Sequence, residues 1–403
     1  MHISTANHFN VAIDQLMTRQ NDLSTTQTQL TSGKRVNQPS DDPAAAAANE
    51  RALADEARAT ATQKAVNASN NAMTLSESAL GSATDLMQTI HADMVSAGNA
   101  TLSDADRQSL AAQITQLRNQ LLTVANSTDG NGSYLFGGQG ANQAPFVDAS
   151  GGVQYRGTTG QTTVGAGAGQ VLPLTLDGQA AFMQANGGNG VFATSVLTST
   201  GSAWIDPGTV TNAAALTGAT YKIQFTVAAG NTTYSVLKNG VATAQTGVPF
   251  TPGQAVQVDG MSATISGQPA SGDAFQLAPS SPSVSVFNVL DQTIADLNTT
   301  GRTSAQIAQA NSSNLQNLNQ CMVQVEAARS QAGAAMNRIA QVTTQLSAQT
   351  LADQTQSSNL TDVDMTQALS TFSNQQTGYQ AALKSYSMIQ GLSLFNYLSS
   401  SSG

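Results

Sequence analysis

The sequence predicts a multidomain α+β fold: an elongated antiparallel helical bundle formed by both termini, with an all-β domain inserted between the helical arms. Three observations predict it. Apolar residues recur at three- and four-residue steps near both ends of the 403-residue chain, which is the period of an α-helix. Between about residues 137 and 283 the apolar pattern alternates residue by residue, as in a half-buried strand. Helical spacing then returns.

The two ends of the chain carry matching helical patterns. In the segment from Asp364 to Leu398 the apolar stripe consists of Met365, Leu369, Phe372, Tyr379, Leu383 and Tyr386. Near the other end the stripe consists of Phe9, Leu16, Leu23 and Leu30, which stand seven residues apart. Burying each large side chain contributes roughly 1.5–3 kcal/mol, so we expect the two termini to cover one another as a helical pair with a period of about 3.5 residues.

A long second helix is predicted from Ala44 to about Ala97. Its large apolar residues fall seven apart, at Val66, Met73, Leu80, Met87 and Met94, and we expect these methionines to pack in a core. Gly33 is expected to end the first helix by adopting positive φ. Ser40 or Asp41 is expected to cap the second helix, with Pro43 in its first turn.

Three further helices are predicted on either side of the β region. A serine cap at Ser103 begins one that continues to about Val124. After residue 283, apolar spacing predicts a helix from Val286 to Leu297 and, beyond Gly301, a long helix that includes Leu315 and extends to roughly Ser358.

The β region is marked by alternation and by turn residues. Tyr221, Ile223, Phe225 and Val227 alternate with polar residues, which predicts a strand. Asn239-Gly240 and Asp259-Gly260 each stand between apolar runs and predict tight hairpins.

These patterns predict three domains. Residues 1–42 with 359–403 are expected to form a terminal coiled-coil domain that is disordered before assembly. Residues 43–136 with 284–358 are expected to form a helical bundle core, and residues 137–283 an inserted β-rich outer domain.

Composition excludes several functional classes. The net charge is -9, and no basic run is present that could pair with phosphates, so nucleic acid is not an expected partner. Cys321 is the single cysteine and is expected to be a small buried group. The sequence shows no cleaved secretory signal and no apolar run of about 20 residues, so we expect no membrane insertion.

No catalytic, cofactor-binding or metal-ligating site is expected. The histidines are His2, His8 and His91, and neither they nor Cys321 form a recognisable constellation. Asp41 and Asp42 are adjacent carboxylates, but capping of the following helix explains them better than metal binding. The glycine-rich run at 165–169 lacks the lysine and following helix of a phosphate-binding loop. The protein is therefore not expected to be an enzyme.

Several motifs resemble one known family. The residues Met1-His2-Ile3-Ser4-Thr5, Leu30-Thr31-Ser32-Gly33-Lys34-Arg35-Val36-Asn37 and Pro39-Ser40-Asp41-Asp42-Pro43 resemble the N-terminal signature of bacterial flagellins and their relatives. Asn131-Gly132-Ser133-Tyr134-Leu135-Phe136-Gly137-Gly138, Ala332-Gly333-Ala334-Ala335-Met336-Asn337-Arg338-Ile339 and Ser393-Leu394-Phe395-Asn396-Tyr397-Leu398 are similar to the branch of that family that forms the hook–filament junction. His2 departs from the arginine common at that position.

The resemblance implies a structural role in the bacterial flagellum. It implies export through the flagellar type III apparatus without a cleaved signal peptide, an extracellular location, and an export chaperone at the C-terminal helix. It also implies ring self-association between hook-associated protein 1 and flagellin. The residues predicted to form the assembly interface are Phe9, Leu16, Leu23, Leu30, Leu369, Phe372, Tyr379, Leu383, Tyr386, Phe395 and Tyr397.

Three alternatives stay open from sequence alone. The same apolar residues could be the ordinary core of an intramolecular bundle. The chain could be a filament-forming flagellin, which would polymerise without help. It could also be a secreted adhesin or enzyme whose activity resides in the β insert.

Overall fold

A computed structural model describes residues 5–140, 142–167 and 169–400 of the chain. The described residues form helices and strands in the predicted order of helices, sheet and helices, which confirms the α+β prediction. The helices are α1 (Thr5–Ser32), α2 (Pro43–Ala97), α3 (Asp104–Ala125), α4 (Gly178–Phe182), α5 (Val286–Asn298), α6 (Ser304–Thr361) and α7 (Met365–Ser400).

The strands occupy the middle of the chain. They are β1 (Phe146–Ala149), β2 (Gly152–Tyr155), β3 (Thr163–Gly165), β4 (Val171–Pro173), β5 (Ala185–Asn186), β6 (Phe192–Thr198), β7 (Trp204–Ile205), β8 (Thr209–Val210), β9 (Tyr221–Ala228), β10 (Asn231–Lys238), β11 (Val241–Ala242), β12 (Val248–Pro249), β13 (Ala255–Val258), β14 (Met261–Ser266), β15 (Ala274–Pro279) and β16 (Pro282–Val284). A short 3-10 helix, Ala213–Ala215, lies between β8 and β9.

The chain divides into two compact units, Met1–Gln63 with Thr343–Gly403, and Lys64–Val342. We call them the terminal unit and the central unit. The three-domain division drawn from the sequence remains a prediction.

The central unit contains a helical core that the heptad spacing of α2 predicts. Met73, Leu80, Met87 and Met94 are fully buried there, together with apolar residues of α3, α5 and α6. Cys321 belongs to the same core, and burial raises the pKa of its thiol to about 12. The methionines and this cysteine are therefore packing residues.

The region between α3 and β6 packs against the helices. Phe136, Phe146, Phe182 and Phe287 form a cluster of aromatic contacts, with edge-on approaches of 5.4 Å between Phe136 and Phe182 and 5.5 Å between Phe146 and Phe182. Such edge-on pairs stabilise a core by about 0.5–1.5 kcal/mol beyond the area that they bury. The first part of the β region thus shares the helical core.

Residues from Phe192 to Leu277 form a second core. Their main sheet has the strand order β11-β10-β9-β15-β6, with β12 also paired to β10, and a smaller sheet has the order β13-β14-β7. Alternate residues of β9 and β14 are buried, as the alternation predicts. Asn239 and Asp259 adopt positive φ at the two predicted hairpins, each followed by a glycine that does the same.

Polar side chains of α6 hold the β region in place. The Ile205 N–H donates to Gln309 Oε1 at 2.9 Å, and the Gly188 N–H donates to Asn317 Oδ1 at 2.9 Å. Gln324 Nε2 in turn donates to the carbonyl of Ala180 at 2.8 Å. These bonds satisfy backbone groups that would otherwise be buried unpaired.

One buried cation joins three elements of the central unit. The guanidinium of Arg118 on α3 donates to both carboxylate oxygens of Asp148 on β1 and of Asp291 on α5. The Arg118 side chain is almost fully covered, whereas both carboxylates remain partly exposed. The hydrogen bond from Arg118 holds the pKa of Asp148 below its ordinary value.

Candidate functional site

Helices α1 and α7 of the terminal unit pack along one another. Leu30 lies beside Met365, and Arg19 lies beside Gly378, so residue numbers rise along one helix as they fall along the other and the pair is antiparallel. The helices approach closely at Gly378, where a Cβ atom would stand 2.8 Å from a guanidinium nitrogen of Arg19.

Few side chains of α1 and α7 are buried. Among the side chains described in α1 and α7, only Thr26 and Ala368 are buried. The half-buried residues of α7 on the same side as Ala368 include the large Phe372, Tyr379 and Tyr386 as well as the small or polar Gln375, Gly378 and Ala382. No large apolar side chain described in the pair is fully covered, and several are exposed.

The structure divides the predicted interface residues into two groups. Half-buried side chains are those of Leu16, Leu23, Leu30, Phe372, Tyr379 and Tyr386. Leu369 and Leu383 are instead 62 % and 42 % exposed. The side chains of Phe9, Phe395 and Tyr397 lie outside the described ones. Whether these residues form an assembly contact is still a prediction.

Sequence reasoning missed other exposed apolar residues of the pair. Val11 and Met17 on α1 and Met388 on α7 are about half exposed, although none was among the predicted interface residues. Met365 belonged to the predicted stripe and is also exposed. Val11, Met17 and Met388 are apolar residues on helices that the sequence predicts, which is a signal that could have found them. Their spacing does not follow the seven-residue stripes from which the interface residues were predicted.

Two open grooves accompany the pair. One, of about 650 Å³, is lined by Val11, Asp14, Gln15, Thr18, Arg19, Asp22 and Gln375. We call it the α1 groove. The other, of about 610 Å³, is lined by Leu30, Met365, Thr366, Leu369, Ser370, Ser373 and Asn374. We call it the α7 groove. Both have room for side chains from another helix.

The residues that follow α1 pair with the residues that precede α7. We call this pairing, of residues 33–36 with 361–363, the crossing. The Arg35 N–H donates to the Thr361 carbonyl at 2.6 Å, and the Val363 N–H donates to the Gly33 carbonyl at 3.0 Å. Lys34 and Asp362 form an antiparallel bridge between them. Gly33 has a φ of 71°, the left-handed conformation that ends α1 and turns the chain into this crossing.

The two adjacent aspartates stabilise the turn into α2. Asp42 Oδ1 accepts the Ala45 N–H at 3.0 Å, so the cap of α2 is Asp42. The expectation of Ser40 or Asp41 was wrong by one or two residues, because Pro43 is itself the first helical residue. Asp41 accepts the N–H groups of Asn37 and Gln38 instead. The bond from Ala45, followed by that from Arg35, lowers the pKa of Asp42.

The described residues provide no alternative chemical site. No group of three or more His, Cys, Asp or Glu residues among them is placed to hold a metal ion. None of the helices in the described part of the chain is both long enough and apolar enough to cross a bilayer. Among the described residues, the exposed apolar side chains of α1 and α7 are therefore the strongest candidate for a binding site.

The chain matches two models of one family. Residues 3–141 match the bacterial flagellin N-terminal helical region, and residues 315–398 match the bacterial flagellin C-terminal helical region. Between them the two matches cover more than half of the chain, including α1, α2 and α3 and most of α6 and α7. The β region between them is not part of either match.

Individual proteins show the same similarity. Flagellar hook-associated protein 3 of Salmonella typhimurium is 44 % identical over 126 residues, which are 31 % of this chain and 39 % of that protein. The matched stretch thus spans about two fifths of this curated relative.

Solved structures match over a larger share of the chain. The crystal structure of flagellar hook-associated protein 3 from Legionella pneumophila matches with a TM-score of 0.72 and 26 % identity, over 77 % of this chain and 98 % of that one. The crystal structure of Xanthomonas campestris FlgL matches with a TM-score of 0.66 and 30 % identity, over 72 % of this chain and 98 % of that one.

Proposed function

The chain belongs to the bacterial flagellin family, and on that basis we propose that it is a structural junction protein of the flagellum. In this role it joins hook-associated protein 1 to the flagellin filament through its terminal helices. The names of its relatives support the junction role in preference to that of the filament subunit. The role is structural and not enzymatic.

The observation that carries the proposal is the uncovered apolar surface of α1 and α7. Leu369 is 62 % exposed and Met17 is 59 % exposed on helices that bury only Thr26 and Ala368 among their described side chains. Exposed apolar surface of this kind marks a site of association in a soluble protein. In a growing flagellum, neighbouring subunits would bury these exposed apolar side chains of α1 and α7.

The remaining parts of the proposal concern partners and location. The protein leaves the cell through the flagellar export apparatus without a cleaved signal peptide, with an export chaperone covering α7 until assembly. It then forms a ring of copies between hook-associated protein 1 and flagellin, outside the cell. Residues 1–42 and 359–403 order fully on assembly, because a helix pair with so little core gains most of its packing from neighbours.

Deletion of residues 364–403 tests the proposal. The deletion removes α7 and with it half of the proposed contact surface. In a strain that carries only the deleted chain, filaments should be shed into the medium, since nothing joins them to the hook. A matched control that ends after residue 398 keeps almost all of α7 and should retain its filaments. Attachment that survives the longer deletion would overturn the proposal.

A filament-forming flagellin is the alternative, and solution behaviour separates the two. A junction protein stays monomeric when purified, whereas a flagellin polymerises into long filaments by itself. Electron microscopy of the concentrated protein decides between these outcomes.

A further inference from the structure

The charged residues of the terminal pair are few and are divided between its helices. Lys384 is the single charged residue of α7, while α1 carries Asp14, Arg19 and Asp22. Asp14 and Asp22 both line the α1 groove. Arg19 lines the same groove between them, so two carboxylates and one guanidinium leave the lining of the α1 groove with a net charge of -1.

Lys384 faces away from the α1 groove of its own chain. The side of α7 that meets α1 is marked by Ala368, Gln375 and Ala382. Lys384 follows Ala382 by two residues, which places it about 200° around the helix axis. Its ammonium group is exposed on the outer side of α7, and among the described residues no ion pair includes it. A carboxylate of another molecule can therefore approach this ammonium group without breaking an ion pair of the described chain.

The α1 groove also has an unsatisfied acceptor. Gln375 Oε1 is shielded from solvent and receives no hydrogen bond from the described chain. Burying such a carbonyl without a donor costs about 1–3 kcal/mol. The groove therefore combines two carboxylates that outnumber the Arg19 guanidinium, room for a helix face and an acceptor that lacks a donor.

We propose that the α1 groove receives the outer face of α7 from a second copy of the chain, with Lys384 of that copy beside Asp14 or Asp22. Leu383 stands next to Lys384 and is also exposed, so the incoming face brings an apolar side chain together with the cation. This inference rests on the proposed function and specifies which faces meet within the ring.

The contact is heterologous. Each copy offers a groove on α1 and an outer face on α7, which are different surfaces. Contacts between different surfaces continue from one copy to the next and generate rings or helical arrays, whereas two-fold contacts stop at dimers.

Chemical cross-linking tests the pairing in assembled flagella. A chain carrying both Asp14→Cys and Lys384→Cys should form covalent oligomers longer than dimers when isolated flagella are treated with a short bismaleimide. Each single variant should give no such series, and Cys321 does not interfere because only 2 % of it is exposed. Cross-links within one chain, or to a different flagellar protein, would overturn the inference.

Charge reversal provides a second test with a genetic readout. Lys384→Glu should reduce the number of attached filaments about tenfold, because it places like charges together at a repeated contact. Introducing Asp14→Lys and Asp22→Lys into the same chain should restore attachment. Lys64→Glu reverses another exposed lysine, in the central unit, and should have no effect.

The experiments can contradict the junction function and the pairing of Lys384 with the α1 groove independently of one another. If deletion of residues 364–403 sheds filaments but Lys384→Glu does not, the junction function stands and the pairing is wrong. If Lys384→Glu sheds filaments and adding Asp14→Lys with Asp22→Lys does not restore them, the groove is not the surface that Lys384 meets, and the pairing is again wrong.

Discussion

The guanidinium of Arg35 donates a hydrogen bond to the carbonyl oxygen of Leu360, 2.8 Å away and 325 residues further along the chain. A second nitrogen of the same group donates to Asp42 at the start of α2. Arg35 thus joins the carboxyl end of α6 to the turn that follows α1. Because α1 and α7 both begin or end within a few residues of this point, the crossing sets the register of the terminal pair.

Arg35→Ala should loosen the terminal pair without affecting the central unit. The variant leaves the Leu360 carbonyl without its side-chain donor, so amide exchange at residues 33–36 and 361–363 should accelerate about tenfold. Hydrogen-exchange mass spectrometry measures this effect.

Lys34→Ala is the control for that variant, because Lys34 contributes its backbone to the bridge with Asp362. Equal exchange in the two variants would mean that the backbone bonds alone fix the crossing.

Leu369→Gln with Leu383→Gln should impair filament attachment while leaving the isolated chain as stable as before. Both side chains are substantially exposed, so their replacement removes little buried area in the monomer. Attachment is scored by filament shedding, and stability by thermal unfolding. Val323→Gln changes a similarly exposed apolar residue of α6 and should leave attachment unchanged. A large loss of thermal stability in the double variant would indicate an intramolecular role instead.

Two hairpin glycines should respond differently to alanine. Both Gly240 and Gly260 have positive φ, so each Gly→Ala change costs about 1–2 kcal/mol in backbone strain. At Gly240 the new Cβ meets open space, whereas at Gly260 it would lie 2.1 Å from the Asn212 carbonyl oxygen. Gly260→Ala should therefore cost at least about 2 kcal/mol more.

Urea unfolding followed by the fluorescence of Trp204 measures the difference. Trp204 is the single tryptophan and pairs with Ser266 on β14, the strand that follows the Gly260 turn. Equal shifts of the midpoint in the two variants would contradict the close approach of Asn212.

Arg118→Met should destabilise the central unit by about 2 kcal/mol, less than a fully buried pair would cost, because Asp148 and Asp291 are partly exposed. Asp148→Asn should give a smaller loss that depends on pH. The folded pKa of Asp148 is depressed, chiefly by the hydrogen bond from Arg118, so its stabilisation is present above the unfolded pKa and is lost as pH falls through the folded one.

The gap in melting temperature between wild type and Asp148→Asn should therefore shrink as the pH falls below about 4. Asp55→Asn removes an exposed pair with Arg58 and should give no gap at any pH. A pH-independent gap for Asp148→Asn would show that the charge of this carboxylate is not what stabilises the fold.

The helical arms could be predicted from sequence because their large residues repeat at a fixed interval. The heptad of α2 places Val66 and Met94 on one buried face, and the predicted helix from Ala44 agrees with the observed Pro43–Ala97. The hairpins at Asn239 and Asp259 could also be predicted from sequence, because few residue types other than glycine, asparagine and aspartate tolerate positive φ. The hairpin at Ala229-Gly230 was not, because alanine gives no signal for that conformation.

The contacting face of α7 could be predicted only in part. Apolar periodicity selects the large residues, so Leu369 and Leu383 were expected to be covered. Phe372, Tyr379 and Tyr386 are half-buried as the stripe predicts, but the same side of α7 also carries Ala368, Gln375 and Gly378. The small or polar side chains of these last three residues carry no hydrophobic signal. A helix with apolar residues on more than one side has more than one candidate face, and only tertiary packing selects between them.

Amide hydrogen exchange in α1 and α7, compared between the purified chain and isolated flagella, tests most directly whether these helices are incompletely covered until neighbours surround them. Exchange in both helices should be fast in the purified chain and should slow by about 100-fold or more in flagella, while the α2 segment from Leu80 to Met94 is equally protected in both. Strong and equal protection of α1 and α7 in the purified chain would contradict the account.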